Sequence, residues 1–144
     1  MNSTYSFANV YAVISHPGYG SFTINGEGLG NITVSKETTL TKQAVAADGS
    51  VLSSKIAGNH GSASIKVQQT SAFNKYMQGL FNYLQAAPTD QWSGISFTVR
   101  VDVMGIQHLC QQGAFEKEPD RSYDAEAADC TWKILFNDVQ TIDI

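Results

Sequence analysis

Between Gly61 and Leu84 the hydrophobic period of this chain changes from two to about 3.6. Ala63, Ile65 and Val67 alternate with Ser62, Ser64, Lys66 and Gln68, the signature of a half-buried strand. After Thr70-Ser71, residues Phe73, Tyr76, Met77, Leu80, Phe81 and Leu84 recur at helical spacing. Ser71 or Thr70 supplies an N-cap oxygen, and Pro88 stops the helix, which is placed at about 71–86. No other helix of any length is expected. The fold class that follows is mainly β, a β-sandwich or barrel-like protomer with one flanking α-helix.

The 144 residues fit one domain, 1–144, with one core. Charged residues make up only 15% of the chain, where about 25% is usual, and Ser, Thr, Asn, Gln and Gly take their place. Neutral polar surface is cheaper to desolvate than Lys and Glu, which suits a chain that buries itself against further copies. The net charge of −4 provides no global basic field to recruit nucleic acid. No apolar run reaches membrane-spanning length, and Met1–Tyr5 lacks a signal-peptide pattern, so a cytoplasmic site of synthesis and no membrane partner are expected.

Tyr5 to Ile14 is apolar on both faces, with Tyr5, Phe7, Tyr11 and Val13 on one and Ala8, Val10, Ala12 and Ile14 on the other. Such a strand is covered on both sides or lies at an interface. His16-Pro17-Gly18 turns the chain, and Tyr19 to Ile24 and Asn31 to Lys36 read as strands. The glycines of Gly26–Gly30 serve a turn between them. Their spacing is not that of a dinucleotide fingerprint, and strand rather than helix follows. Residues 37–59 form a long polar excursion centred on Ala47-Asp48-Gly49-Ser50, a hairpin turn with arms Thr41–Ala46 and Val51–Ile56. It has too little apolar surface to stand alone, so it is either a flexible excursion or an arm that docks on another molecule.

Ile95 to Val103 alternates as a strand, Gly105 allows a bend, and Ile106 to Phe115 returns beside it. Residues 116–129 form a polar loop with six acids. Thr131 to Phe136 buries Trp132, Ile134 and Phe136. Ile142 and Ile144 keep the parity of that buried set across a polar break, so a bend or bulge is expected at Asn137-Asp138.

No cluster of side chains has the spacing that catalysis or metal binding needs. His16, His60 and His108 are scattered, and Cys110 and Cys130 lack the close pairing of zinc ligands, so no metal or cofactor is expected. The two cysteines are expected as reduced, semi-buried thiols. Glu116, Glu118, Asp120 and Asp124 lack an apolar setting that would tune them for acid-base work. The chain reads as a building block and not as an enzyme.

The order of these elements resembles the tail tube proteins of contractile-tailed bacteriophages. The likeness is sharpest from Asn31 to Leu84: Ile32-Thr-Val-Ser-Lys-Glu37, the Asp48-Gly49 hairpin, Ser62-Ala-Ser-Ile-Lys-Val-Gln68, and the Ser71-capped helix. The resemblance implies hexameric rings stacked into an inner tube, surrounded by a tail sheath protein and filled by a tape-measure protein before genome delivery. It implies baseplate and tail-terminator partners and phage DNA in transit without specific binding. The location implied is a virion tail assembled in the host cytoplasm. Tubes of type VI secretion systems and phage-tail-like bacteriocins share the fold.

On that footing, Thr41, Lys42, Val45, Asp48, Gly49, Val51 and Leu52 belong to an inter-ring hairpin. The face of Thr33, Ser35, Ser62, Ser64 and Gln68, with Thr23, is a candidate lumen face, provided Lys66 beside them is paired with an acid. Glu116, Glu118 and Asp120 are expected in a sheath-facing acidic loop. A rival of another class is a monomeric carbohydrate-binding sandwich using Tyr19, Trp92 and Tyr123, which leaves the hairpin unexplained.

Overall fold

The computed structural model describes residues 10–24 and 29–144. Strands β1 (Val10–His16), β2 (Gly20–Ile24), β3 (Leu29–Lys36), β4 (Thr41–Val45), β5 (Val51–Lys55) and β6 (Gly61–Gln68) precede helix α1 (Ala72–Ala86). Strands β7 (Ile95–Val101), β8 (Ile106–Phe115) and β9 (Asp129–Asp143) follow it. The first half of the expected Tyr5–Ile14 strand and the Gly26–Gly28 part of the glycine turn lie outside the described residues.

Seven strands form one antiparallel sheet in the order β2-β1-β7-β8-β9-β6-β3, and β4 and β5 form a separate hairpin. The sheet curls into a half-barrel, so of the two expected forms the barrel-like one is realised. One face carries the core. Ala12 and Ile14, Ile95 and Phe97, Trp132, Ile134 and Phe136, and Ala63, Ile65 and Val67 pack there against Phe73, Met77, Leu80, Phe81 and Leu84 of α1. Each large apolar side chain buried this way contributes about 1.5–3 kcal/mol. Among the described residues, no element packs on the opposite face of the sheet, the open face.

The strand-to-helix switch is built as its sequence dictates. The Ser71 hydroxyl accepts from the Asn74 amide at 3.2 Å and caps α1. Buried Asn74 then joins helix to sheet. Its Oδ1 accepts from the Trp132 indole N–H at 2.9 Å and from the Cys130 thiol at 3.1 Å, while its Nδ2 donates to the Gln69 carbonyl. At the far side His16 is buried, with Nε2 donating to the Gln91 carbonyl at 2.8 Å and Nδ1 accepting from the Gly18 amide. Both ring nitrogens are occupied structurally.

The bend expected at Asn137-Asp138 is present, and it is shared. In β9 the buried positions run Cys130, Trp132, Ile134 and Phe136, then skip to Val139. Beside it in β8, Gln112 takes a φ of 56°, a conformation uncommon for residues other than glycine. The β7–β8 register shifts at the same level. Past the bend the parity of β9 is reversed, which is why Ile142 lies on the open face and is 39% exposed. Val103 also leaves the alternation, because β7 ends at Val101 and Asp102–Met104 form a short 3-10 turn closed by Gly105 at a φ of 66°.

The hairpin is formed with every residue from Thr41 to Lys55 exposed. Its turn is held locally: Asp48 Oδ1 accepts from both the amide and the hydroxyl of Ser50, which keeps the Asp48 carboxyl below its ordinary range. Its root is tied to the sheet. Lys36 Nζ donates to Asn59 Oδ1, and the Val139 amide, at the bend, donates to the Asn59 carbonyl at 2.7 Å. At Gly61 the strands approach so closely that a Cβ would overlap the Ser35 carbonyl.

Cys110 and Cys130 are free thiols. Cys110 is registered with Val139, nine residues along β9 from Cys130, which puts the two thiols roughly 25–30 Å apart and beyond bridging. Burial pushes the Cys110 thiol from 9.0 up to about 11, with a further contribution from Asp138. Burial, with Tyr19 alongside, pushes Tyr76 from 10.0 up to about 12 while its hydroxyl donates to the Gly20 carbonyl. For both groups the folded state favours the neutral form and the unfolded chain ionises first. Their stabilisation is complete below pH 9.0 and is lost as the pH rises through about 11 and 12. The urea midpoint is expected to fall steadily above about pH 9, and less steeply in a Tyr76→Phe, Cys110→Ala variant. A profile identical in variant and parent would refute the assignment.

Candidate functional site

Alternation and register together assign residues to the open face. Thr33 stands opposite Ser64 and Ser35 opposite Ser62, and Gln68 continues that row two pleats beyond Ser64. Across the next ladder Ser62, Ser64 and Lys66 meet Leu135, Lys133 and Thr131, and Gln68 meets Asp129. The structure therefore brings Thr33, Ser35, Ser62, Ser64 and Gln68 onto one surface. Ser62 is the buried member, because its hydroxyl donates to Glu37 at 3.0 Å. Thr23 shares the face but sits on β2, the opposite edge of the sheet.

Periodicity within β3 and β6 pointed to those five residues and missed the rest of the surface. Thr98, Gln107, Gln140 and Thr131 extend it across β7, β8 and β9. The signal was present in each strand, as the positions out of phase with the buried set. Tyr11 and Val13 also lie there, Tyr11 being 51% exposed. Among the described residues, this half of the strand is uncovered on one side.

The electrostatics of the face follow from its pairs. Of the nine Lys and Arg in the chain, three project from it, and each meets a carboxylate. Lys66 lies 4.0 Å from Asp129, Lys133 lies 3.1 Å from Glu116, and Arg100 lies 2.6 Å from Asp102. All six side chains keep more than a third of their surface in water, so these pairs add little stability. Their effect is on the field, since among the described residues no cation on this face stands without a counter-charge. The condition set for Lys66 is met.

The acidic loop lies outside the core, with Glu116, Glu118 and Asp120 all exposed. It is pinned through Arg121, whose guanidinium sits 5.7 Å from the centre of the Trp132 ring, donates to Gln78 of α1 and lies 3.8 Å from Glu118. Between the loop and the start of α1 a cleft of about 710 Å³ opens, lined by Gln69, Ser71, Lys75, Arg121 and Tyr123 among others. Of the sugar-stacking candidates, Tyr123 is on this loop, Tyr19 packs on Tyr76 and Tyr83, and Trp92 borders a separate cleft beside Leu84. They do not form one platform. Among the described residues no group of three or more His, Cys, Asp or Glu side chains could hold a metal ion, and no helix is long and apolar enough to cross a membrane.

The fold has solved counterparts. A chain of the anti-feeding prophage baseplate superposes with a TM-score of 0.66 at 12% identity, covering 99% of this chain and 98% of that one. A chain of the anti-feeding prophage tube-terminating cap gives 0.63 at 5% identity, over 100% and 94%. A chain of the PVC sheath-tube complex, from an extracellular contractile injection system in its extended state, gives 0.62 at 9%, over 95% and 90%. No curated protein sequence matches the chain. The family model described as "Bacteriophage PhiTE tail tube protein" matches residues 2–143. The chain belongs to that family of phage tail tube proteins, and it is a structural subunit of a tail tube.

Proposed function

We propose that this subunit builds the inner tube of a contractile phage tail, as hexameric rings stacked head to tail, with the open face of the sheet lining the channel through which the genome passes. The observation that carries the channel assignment is the pairing of Lys66, Lys133 and Arg100 with carboxylates. A free cation at the wall binds phosphate and releases counterions, and repeated ring after ring it would hold the DNA in place. A wall of Thr33, Ser35, Ser64, Gln68 and Thr131 with its charges cancelled offers hydrogen bonding without a net field. DNA is then a passenger, and the role is structural with no catalysis.

The remaining partners follow from the same reading. Among the described residues the sheet has two unpaired edges, β2 and β3, and joining them between neighbours closes a ring and removes both edges. The hairpin, from Thr41 and Lys42 through Val45, Asp48, Gly49 and Val51 to Leu52, reaches the next ring. Glu118 and Asp120 meet basic side chains of a sheath protein, with Glu116 at the loop root already engaged by Lys133. Baseplate, terminator and tape-measure proteins complete the assembly, which forms in the bacterial cytoplasm. Because the likeness at the level of fold includes extracellular contractile injection systems, a tube of a phage-tail-like bacteriocin or type VI secretion system is the second reading.

The test removes the counter-charges. Tubes of a Glu116→Gln, Asp129→Asn, Asp102→Asn variant are expected to retain duplex DNA at physiological salt, whereas parent tubes release it. Retention should disappear as salt is raised. Parent tubes that bind DNA tightly, or variant tubes that do not, would reject the channel assignment.

A further inference from the structure

We propose that the cleft between the start of α1 and residues 122–128 is the socket for the β4–β5 hairpin of a second copy of this chain. The inference rests on the stacked-ring reading and adds to it the surface that receives the arm.

The two features sit at opposite ends of one strand. The hairpin leaves the sheet at Gly61, the first residue of β6. The acidic loop meets the sheet at Gln68, its last, where Gln68 pairs with Asp129 and the Gln69 amide donates to the Ala128 carbonyl. Eight residues of strand separate them by about 25 Å. Features at opposite ends that fit one another produce a head-to-tail contact, which stacks without closing. The hairpin rests on nothing else among the described residues, since Thr41 to Lys55 are all exposed.

Their chemistry matches at two levels. The tip is apolar on both faces, with Val45 opposite Val51 and Ala44 opposite Leu52, and Leu52 is 68% exposed. Tyr123, at 85% exposed, offers an aromatic face in the cleft. The cleft also holds two buried donors, Gln69 Nε2 and Arg121 Nε, that have no partner among the described residues. Where the cleft side chains part around the arm, the hairpin supplies acceptors to them: the outer-edge carbonyls of a two-stranded sheet, and Asp48 Oδ2, left over because Ser50 occupies Oδ1. Nearer the root, Lys42 and Lys55 meet the adjoining shallow hollow, which shares Gln69, Thr70 and Tyr123 with the cleft and is lined by exposed Asp124 and Glu126. A cationic root on an acidic rim and an apolar, acceptor-bearing tip in a donor-bearing cleft fix both register and direction.

Charge reversal tests the match, with stacking read by sedimentation and electron microscopy. A Lys42→Glu, Lys55→Glu variant and, separately, an Asp124→Lys, Glu126→Lys variant are each expected to raise the concentration needed for stacking at least about tenfold, while single rings persist. All four substitutions are on exposed side chains, and circular dichroism should match the parent. Combining the four in one chain restores attraction and should bring that concentration back to within roughly threefold of the parent. If the paired variants fail to stack and the combined chain fails too, the hairpin docks elsewhere and the socket is wrong, although the arm reading survives. If the paired variants stack normally, the socket is also wrong. Parent protein that forms no rods would remove the stacking reading itself, and the socket with it.

Discussion

Replacement of Thr41–Ser54 by a short Gly-Ser linker is expected to yield a folded protomer that cannot stack. Every side chain removed is exposed, so the unfolding free energy should change by less than about 0.5 kcal/mol. The root contacts remain, because Lys36, Asn59 and the Val139 amide all lie outside the replaced segment. Assembly should respond in the opposite sense. The arm is the one described element with no packing inside its own chain, so its whole contribution falls on the contact between copies. Urea unfolding and sedimentation on the same sample separate the two. A variant that unfolds, or one that still forms rods, would show that the arm belongs to the fold or has no part in stacking.

The second large effect is expected at Trp132. The ring is fully buried, packs on Phe81 and Phe115, and gives its N–H to Asn74. Trp132→Ala should cost about 3–5 kcal/mol from lost burial and the cavity left behind. Domains of this kind hold only about 5–15 kcal/mol in total, so the variant should approach the limit of folding at 37 °C. Arg121 also loses the ring beneath its guanidinium, so the acidic loop should become more open to proteolysis before global unfolding. Trp132→Phe keeps most of the volume and removes the donor, at about 1–2 kcal/mol. Equal costs for the two substitutions would mean that the hydrogen bond, and not the packing, dominates the site.

What the chain made legible was the phase of each element. The change of period after Gln68, the Ser71 cap and the Asp48-Gly49 turn are local, and each stands where its residues require. The slip at Asn137-Asp138 was visible because a straight strand would carry polar Asp138 and Gln140 inward with Phe136, a polar break in the buried row. Its companion at Gln112 was not, since a polar residue at positive φ leaves no periodic trace. The order of strands was hidden for a related reason. Alternation says which way a side chain points and is silent on which strand lies beside it, so nothing in Gly61–Gln68 announces that Asp129–Phe136 is its neighbour. The cancelled charges were hidden too. Asp102 is two residues from Arg100 and could be guessed, but Glu116 meets Lys133, and Asp129 meets Lys66, only after the sheet has formed.

The tether between the hairpin and the sheet has a mechanical consequence. A pull on the arm along the strand axis draws β3 and β6 in the same direction, since both leave the sheet at its root. The load then falls on the ladder between β6 and β9, whose eight registered pairs from Gly61–Phe136 to Gln68–Asp129 are strained in shear together and cannot be peeled one at a time. The bond from the Val139 amide to the Asn59 carbonyl passes part of that load directly into β9 at its bend. A chain of such subunits, each gripping the next by its arm, would resist stretching through these long ladders loaded in shear and would part first at the contacts between copies, leaving the protomers whole.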